Sequence, residues 1–141
     1  MNLLTTFTKH WLNNFNQWPI TNSHLLLAVS GGVDSVVMTD LFYQAGFDFT
    51  IVHCNFHLRG ADSDADAFFV KALGEKYDKE VIVKDFDTAN YAVKNKIAIQ
   101  EAARNLRYNW FQEVLAQKKT QCNNKVIGIV TAHHANDNIE T

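Results

Sequence analysis

Between His24 and Ser30 the chain runs HLLLAVS straight into a glycine pair, and no other stretch constrains the fold as much. A short apolar run without polar alternation is a strand covered on both faces. Gly31 and Gly32 then allow a tight turn, and Val36, Val37, Leu41 and Phe42 mark a helix that stops at Gly46. The same rhythm repeats downstream. Phe47–His53 reads as a second strand, and Asp62-Ser63-Asp64 as the N-cap of a helix through Tyr77 with Phe69, Leu73 and Tyr77 on one side. Glu80–Lys84 is a third strand. A long helix from about Ile99 to Lys118 turns Ala103, Leu106, Trp110 and Val114 inward, Asn123-Asn124 makes a turn, and Lys125–Thr131 is a fourth strand. Strand and helix in alternation predict an α/β fold: a three-layer open parallel sheet with helices on both faces.

Ahead of this series, Leu4, Phe7, Trp11, Leu12 and Phe15 repeat at helical spacing, which predicts a helix over 2–17 that Pro19 ends. The first 33 residues hold no acid and a single lysine, a bias shared with transit peptides; they also lack arginine, and Trp11, Trp18 and the phenylalanines mark the segment as folded structure. No apolar run approaches the roughly 20 residues that span a membrane, so no membrane partner is expected. Cys54 and Cys122 form neither a CxxC pair nor a disulfide framework, which suits a reducing cytoplasm. Thirteen basic against fifteen acidic side chains leave a formal charge of −2, without the basic excess of a domain that grips nucleic acid alone. After His133-His134 a helix is expected to start near Ala135, and the chain stops at Thr141. Domains rarely end inside a helix that has just begun, so the sequence reads as the N-terminal part of something longer, cut short at its C-terminus.

Four segments carry chemistry. Ser30-Gly31-Gly32-Val33-Asp34-Ser35 joins the first strand to its helix. Its glycines let backbone approach a ligand, and the N–H groups and positive end of the helix behind them suit a phosphate. Ser30 and Ser35 add hydroxyl donors, and Asp34 can hold a Mg²⁺ that bridges phosphate oxygens. No lysine follows the second glycine, so this is no Walker A loop, and the GxGxxG spacing of dinucleotide sites is missing. His53-Cys54-Asn55-Phe56-His57-Leu58-Arg59-Gly60 lies at the carboxyl end of the second strand, the edge where open α/β sheets bind ligands. Without a matching Cys/His pair it is no zinc site, which leaves nucleotide contacts or loop-bracing hydrogen bonds. Asp62, Asp64 and Asp66 imitate an EF-hand start, but Ala67 and Leu73 stand where glycine and glutamate belong, and helix capping accounts for the acids.

In Gln100-Glu101-Ala102-Ala103-Arg104-Asn105-Leu106-Arg107-Tyr108 the two arginines share a helix face and could neutralise a triphosphate or an RNA backbone. Thr131-Ala132-His133-His134-Ala135-Asn136-Asp137-Asn138-Ile139-Glu140-Thr141 again follows a strand, with Asp137 and Glu140 on one face of the expected helix.

The glycine loop resembles the PP-loop of ATP pyrophosphatases, which cleave ATP between the α and β phosphates. With HCNFHLRGADSDAD, QEAARNLRY and TAHHANDNIET following in order, residues 24–141 resemble the N-terminal domain of the tRNA(Ile)-lysidine synthase family. The resemblance implies an adenine-nucleotide alpha-hydrolase-like fold, with residues 1–141 a partial PP-loop domain and the tRNA-recognition domains absent. It also implies a carbon–nitrogen ligase. ATP adenylates the C2 oxygen of the wobble cytidine in an isoleucine tRNA with a CAU anticodon, and free lysine displaces AMP to leave lysidine. Implied ATP contacts are Ser30, Gly31, Gly32, Val33, Asp34, Ser35, His53, Asn55, Arg59 and Arg107. Asp34, as Mg²⁺ ligand, with Arg104, His133 and Asp137 are the implied catalytic residues; Asp137 and Glu140 are the implied lysine contacts. Asn136 stands where the family carries an acid, which shifts the weight to Asp137. The oligomeric state is open, a homodimer included.

Two other readings compete. A tRNA thiolase needs placed cysteines, which the separate Cys54 and Cys122 do not supply, and an ammonia-using synthetase leaves HCNFHLRG unexplained. A nucleotide-binding regulatory module would bind ATP without cleaving it.

Overall fold

In a computed structural model, the structure describes residues 3–15, 19, 22–122, 125–131 and 138–140, with Leu12, Val126 and 138–140 described by backbone alone. Trp18, the Asn123-Asn124 turn and residues 132–137 lie outside the described residues.

The central strand is β1 (Ser23–Ala28), flanked in parallel by β2 (Asp48–Asn55) and β4 (Val126–Thr131). Beyond β2 lies β3 (Val81–Asp85), also parallel, and beyond β4 lies β5 (Asn138–Glu140), antiparallel, for an order β3-β2-β1-β4-β5. Leu25, Leu26 and Leu27 are each fully buried because successive side chains of β1 enter opposite cores. On one face Leu25, Leu27, Val29, Phe49 and Ile51 pack against α1 (Leu3–Asn14), α2 (Val33–Gln44) and α3 (Ala61–Tyr77). On the other, Leu26, Val52, Ile127 and Ile129 meet Trp110, Phe111, Val114 and Leu115 of α5 (Ile99–Gln121). Trp11 closes the first core, edge-on to Phe42 and Phe47 with ring centroids 5.2 and 4.9 Å away.

The expected layers and the four parallel strands are present, while several faces differ. In α3 the buried stripe is Val70, Leu73 and Tyr77, and Phe69 is 44% exposed. Positions 70, 73 and 77 lie three and four apart, and residue 69 is rotated about 100° from residue 70. In α5 the deepest residues are Ala102, Trp110, Phe111, Val114 and Leu115, with Ala103 and Leu106 half-buried. In α2 it is Ser35, Met38, Thr39 and Phe42 that are buried, and Val37 faces outward. The N-cap of α3 is Gly60, so Asp62 and Asp64 sit inside the first turn, near its positive end. A short helix, α4 (Thr88–Asn95), was not expected. The Asp87 carboxylate accepts from the Asn90 N–H at its start, and the Thr88 hydroxyl donates to the carbonyl of Phe56 (2.9 Å). The helix expected from Ala135 is not seen at 138–140. That backbone pairs with β4, Ile129 opposite Glu140, and occupies a strand edge that would otherwise leave its N–H and C=O groups open.

At the amino ends of the strands a polar network ties the layers together. His24 Nδ1 meets Asp48 Oδ2 (2.8 Å), to which Lys125 Nζ also donates (2.7 Å). Thr50 Oγ1 bridges His24 Nε2 (2.9 Å) and Glu80 Oε1 (3.4 Å), and Lys118 Nζ donates to the same Glu80 oxygen (2.7 Å). Burial pushes the Asp48 carboxyl up, but hydrogen bonds and charge from Lys125 and His24 outweigh it and hold it at about 2, against 3.8 for a free side chain. A carboxyl depressed on folding stabilises above its unfolded pKa and loses that contribution as pH falls through the folded value. The urea midpoint is therefore expected to fall between about pH 4 and pH 2, and Asp48→Asn should be less stable at pH 7 with a shallower decline. Parallel urea–pH titrations of the two proteins check this; superimposable slopes would remove Asp48 from the account.

Candidate functional site

At the carboxyl edge β1 makes its last sheet contact, from the Val29 N–H to the Val52 carbonyl (3.0 Å), and the chain turns away. Gly31 takes φ = +97°, a conformation that disfavours a side chain. Two serines brace the turn: the Gly31 N–H donates to Ser35 Oγ (3.2 Å), the Gly32 N–H to Ser30 Oγ (3.3 Å), and the Ser35 hydroxyl to the Gly32 carbonyl (2.9 Å). Both hydroxyls were expected to meet ligand directly; that of Ser35 spends its proton on the loop. No side chain caps α2 at Gly32, so the first-turn N–H groups of Val33, Asp34 and Ser35 are the donors left for an anion.

The strand order reverses at β1, since β2 and β3 follow on one side and β4 is added on the other. Crevices form at such switch points. A cleft of about 220 Å³ opens at this edge, and of the expected ATP contacts Ser30, Ser35, His53, Asn55, Arg59 and Arg107 line it, whereas Gly31, Gly32, Val33 and Asp34 do not. His53 is buried, and its Nδ1–H donates to the Val29 carbonyl (2.7 Å), tying β2 to the start of the loop. Asn55 is also buried; its amide donates to Asp64 Oδ1 (3.3 Å) and its oxygen accepts from the His57 N–H (3.1 Å). Both side chains thus brace the loops. His57, at φ = +54°, links the start of α3 to the end of β3, with Nε2 2.9 Å from Asp85 and Nδ1 3.7 Å from Asp64.

The two arginines part company. Arg107 is half-buried and lines the cleft; Arg104, about 4.5 Å nearer the helix start, is exposed and outside the lining. Asp34 is exposed in the first turn of α2, also off the lining, with no ion pair among the described residues. His133 and Asp137 lie outside the described residues, and Glu140 belongs to β5 by backbone alone, so the expected helical pairing of Asp137 with Glu140 does not hold at its second member.

Sequence reasoning missed Phe56, Phe111 and Thr131 in the lining, and Asp66. Asp66 was assigned to capping. It forms an ion pair with Arg59, and its Oδ1 is the atom a Cβ on Gly31 would meet at 3.4 Å. Cys54 also lines the cleft; burial pushes its thiol up to about 12, against the opposing charge of Arg107. Among the described residues no group of three or more His, Cys, Asp or Glu could hold a metal ion by protein ligands alone.

A family model for the PP-loop domain matches residues 3–141. The chain belongs to the PP-loop domain family. Within that family it is similar to the tRNA(Ile)-lysidine synthase of Bacteroides thetaiotaomicron, 43% identical over 86% of the chain and 27% of that protein. With the tRNA(Ile)-lysidine synthase of Chlorobaculum tepidum it is 36% identical over 94% of the chain and 40% of the relative. The PP-loop chain therefore spans about a quarter to two-fifths of the length of these relatives. Its fold matches a U34-tRNA thiolase from Methanococcus maripaludis, solved with a 4Fe–4S cluster (TM-score 0.58, 17% identity, 93% of this chain and 45% of that one). It also matches an NH3-dependent NAD synthetase from Campylobacter jejuni (TM-score 0.57, 13% identity, 88% and 52%).

A thiol held at about 12 is reactive only as the rare thiolate, whose fraction at pH 8 is about a thousandfold below that of a thiol at 9.0. Iodoacetamide at pH 8 should leave Cys54 unmodified in the folded PP-loop chain and label it promptly in urea, as read by peptide mass spectrometry. Equal labelling with and without urea would contradict the burial.

Proposed function

We propose that this chain is the ATP-activating part of a tRNA(Ile)-lysidine synthase: it adenylates the C2 oxygen of the wobble cytidine in an isoleucine tRNA with a CAU anticodon, after which free lysine displaces AMP. The observation that carries the reading is one cleft in which a serine-braced glycine loop at a helix N-terminus faces Arg107, in a chain similar to named synthases along most of its length.

A cytosine C2 carbonyl is a poor electrophile with no leaving group. Attack by its oxygen on the α-phosphorus breaks the α–β bridge and expels pyrophosphate; the ε-amine of lysine then bonds to C2, the C2–O bond breaks, and the oxygen departs on AMP. The first step places charge on the departing oxygens, where the first-turn N–H groups of α2 and the Arg107 guanidinium stabilise it. Arg104, exposed outside the cleft, is the candidate contact to the RNA backbone. Lysine arrives as an ammonium with a pKa near 10.4 and must lose a proton before it attacks. His133 and Asp137 are the candidates for that proton, and Asp137 with Glu140 for holding the amino acid.

The donor set fits Mg²⁺ held by phosphates, water and one or two carboxylates, with Asp34 the residue that would hold it and no protein cage required. When bound, the ion supplies charge neutralisation on the polyphosphate. The thiolase reading gains no support from Cys54, whose thiol, pushed up to about 12 by burial, carries little of the thiolate that a nucleophile needs.

The test uses full-length protein with ATP–Mg²⁺ and the CAU-anticodon isoleucine tRNA, with and without lysine. A gain of one lysine less one water at the wobble cytidine is expected only when lysine is present. Pyrophosphate release without that gain would point to a different PP-loop chemistry, and ATP binding without cleavage to a regulatory module. Asp34→Ala should lower turnover by about 10²-fold or more with an unchanged unfolding midpoint. Arg107→Ala should raise KM for ATP about tenfold, the effect of one charged hydrogen bond, whereas Arg104→Ala should weaken tRNA and spare ATP. Equal effects of the two variants on ATP would undo the division between them.

A further inference from the structure

We propose that Asp66 is a positioning residue of the ATP cleft: it pins the Arg59 guanidinium across the mouth of the glycine loop. The inference rests on the ATP reading above and deepens it.

Helix capping does not explain this carboxylate. Asp66 lies six residues past the Gly60 cap, in the second turn, beyond the N–H groups that a cap can reach. Its surroundings point elsewhere. The side chain lines the cleft, accepts from Arg59 Nη2, and lies beside the glycine loop, where a Cβ added to Gly31 would stand in van der Waals contact with Oδ1 at 3.4 Å. Ser63, three residues earlier and on the same side of α3, accepts from the Arg59 backbone N–H at 3.0 Å. One face of α3 therefore holds Arg59 at both ends, backbone and guanidinium.

Arg59 is otherwise an exposed residue with a long, rotamer-rich side chain that would lose that freedom on meeting a phosphate. Held by Asp66, the guanidinium is ordered before the ligand arrives. The pairing also serves the carboxylate. A bare negative charge against the phosphate loop would repel a triphosphate, and Arg59 neutralises it. Each partner thus needs the other. Loss of Arg59 leaves an uncompensated anion where the polyphosphate must lie, so removing Asp66 as well should repair part of the damage.

The experiment is a double-mutant cycle in the full-length protein, with ATP titrated into wild type, Asp66→Ala, Arg59→Ala and the double variant by calorimetry. Asp66→Ala is expected to weaken ATP about tenfold, Arg59→Ala by more, and the double variant by less than Arg59→Ala alone. A merely structural carboxylate would not yield that partial recovery. Thermal melts accompany each titration; if Asp66→Ala does not fold, Asp66→Asn, which keeps the volume and one acceptor, replaces it and should be intermediate. Wild-type affinity in the Asp66 variant, or effects that simply multiply in the double variant, would overturn the role of Asp66 and leave the ATP reading intact. A wild-type protein that takes up no ATP would overturn both.

Discussion

The burial of β1 on both faces is the constraint from which the rest of the molecule follows. Leu25, Leu26 and Leu27 have no contact with water, so helices must cover the sheet above and below, and parallel neighbours must supply the backbone hydrogen bonds. A strand so enclosed can present polar groups only where it ends. The tight turn at Gly31, the His53 bond to the Val29 carbonyl and the convergence of the β1, β2 and β4 ends are consequences of that enclosure.

The site divides into groups that hold shape and groups available to a ligand. Ser35, His53 and Asn55 spend hydrogen bonds on neighbouring backbone or on α3, so the loop stands formed without a ligand. Such pre-organisation moves the ordering cost from binding to folding. The first-turn N–H groups of α2 and the guanidinium of Arg107 face the other way, toward the cleft or solvent. Electrostatic stabilisation of a departing pyrophosphate depends on donors placed in advance, and this arrangement supplies them.

What the sequence made legible was whatever depends on local pattern. The HLLLAVS run, the glycine pair and the 3.6-residue stripes located the four parallel strands and the main helices to within a few residues, and six of the expected ATP contacts line one cleft. What escaped depends on contacts between distant segments. α4 is anchored by Thr88 to Phe56, thirty-two residues away, and an eight-residue helix with Val93 exposed carries little periodic signal of its own. Phe69 is the larger apolar side chain, but the rotation of α3 against the sheet puts Val70 in the core. Arg104 and Arg107 share a face in projection, and only the depth of the cleft separates them. In Asp62-Ser63-Asp64-Ala65-Asp66 a run of acids at a helix start looks alike at every position, and the third lies beside Gly31, thirty-five residues earlier in the chain.

The polar network at the amino ends of the strands has a consequence for how such a domain diversifies. Lys118, Glu80, Thr50, His24, Asp48 and Lys125 fasten α5 and the entries of four strands at one end, while every loop of the cleft lies at the other. Polar substitutions in those loops leave this fastening untouched, so sequence can change at one rim while the other end of the sheet holds. Chains sharing 13–17% of their residues with this one keep its backbone path, with TM-scores of 0.57–0.58.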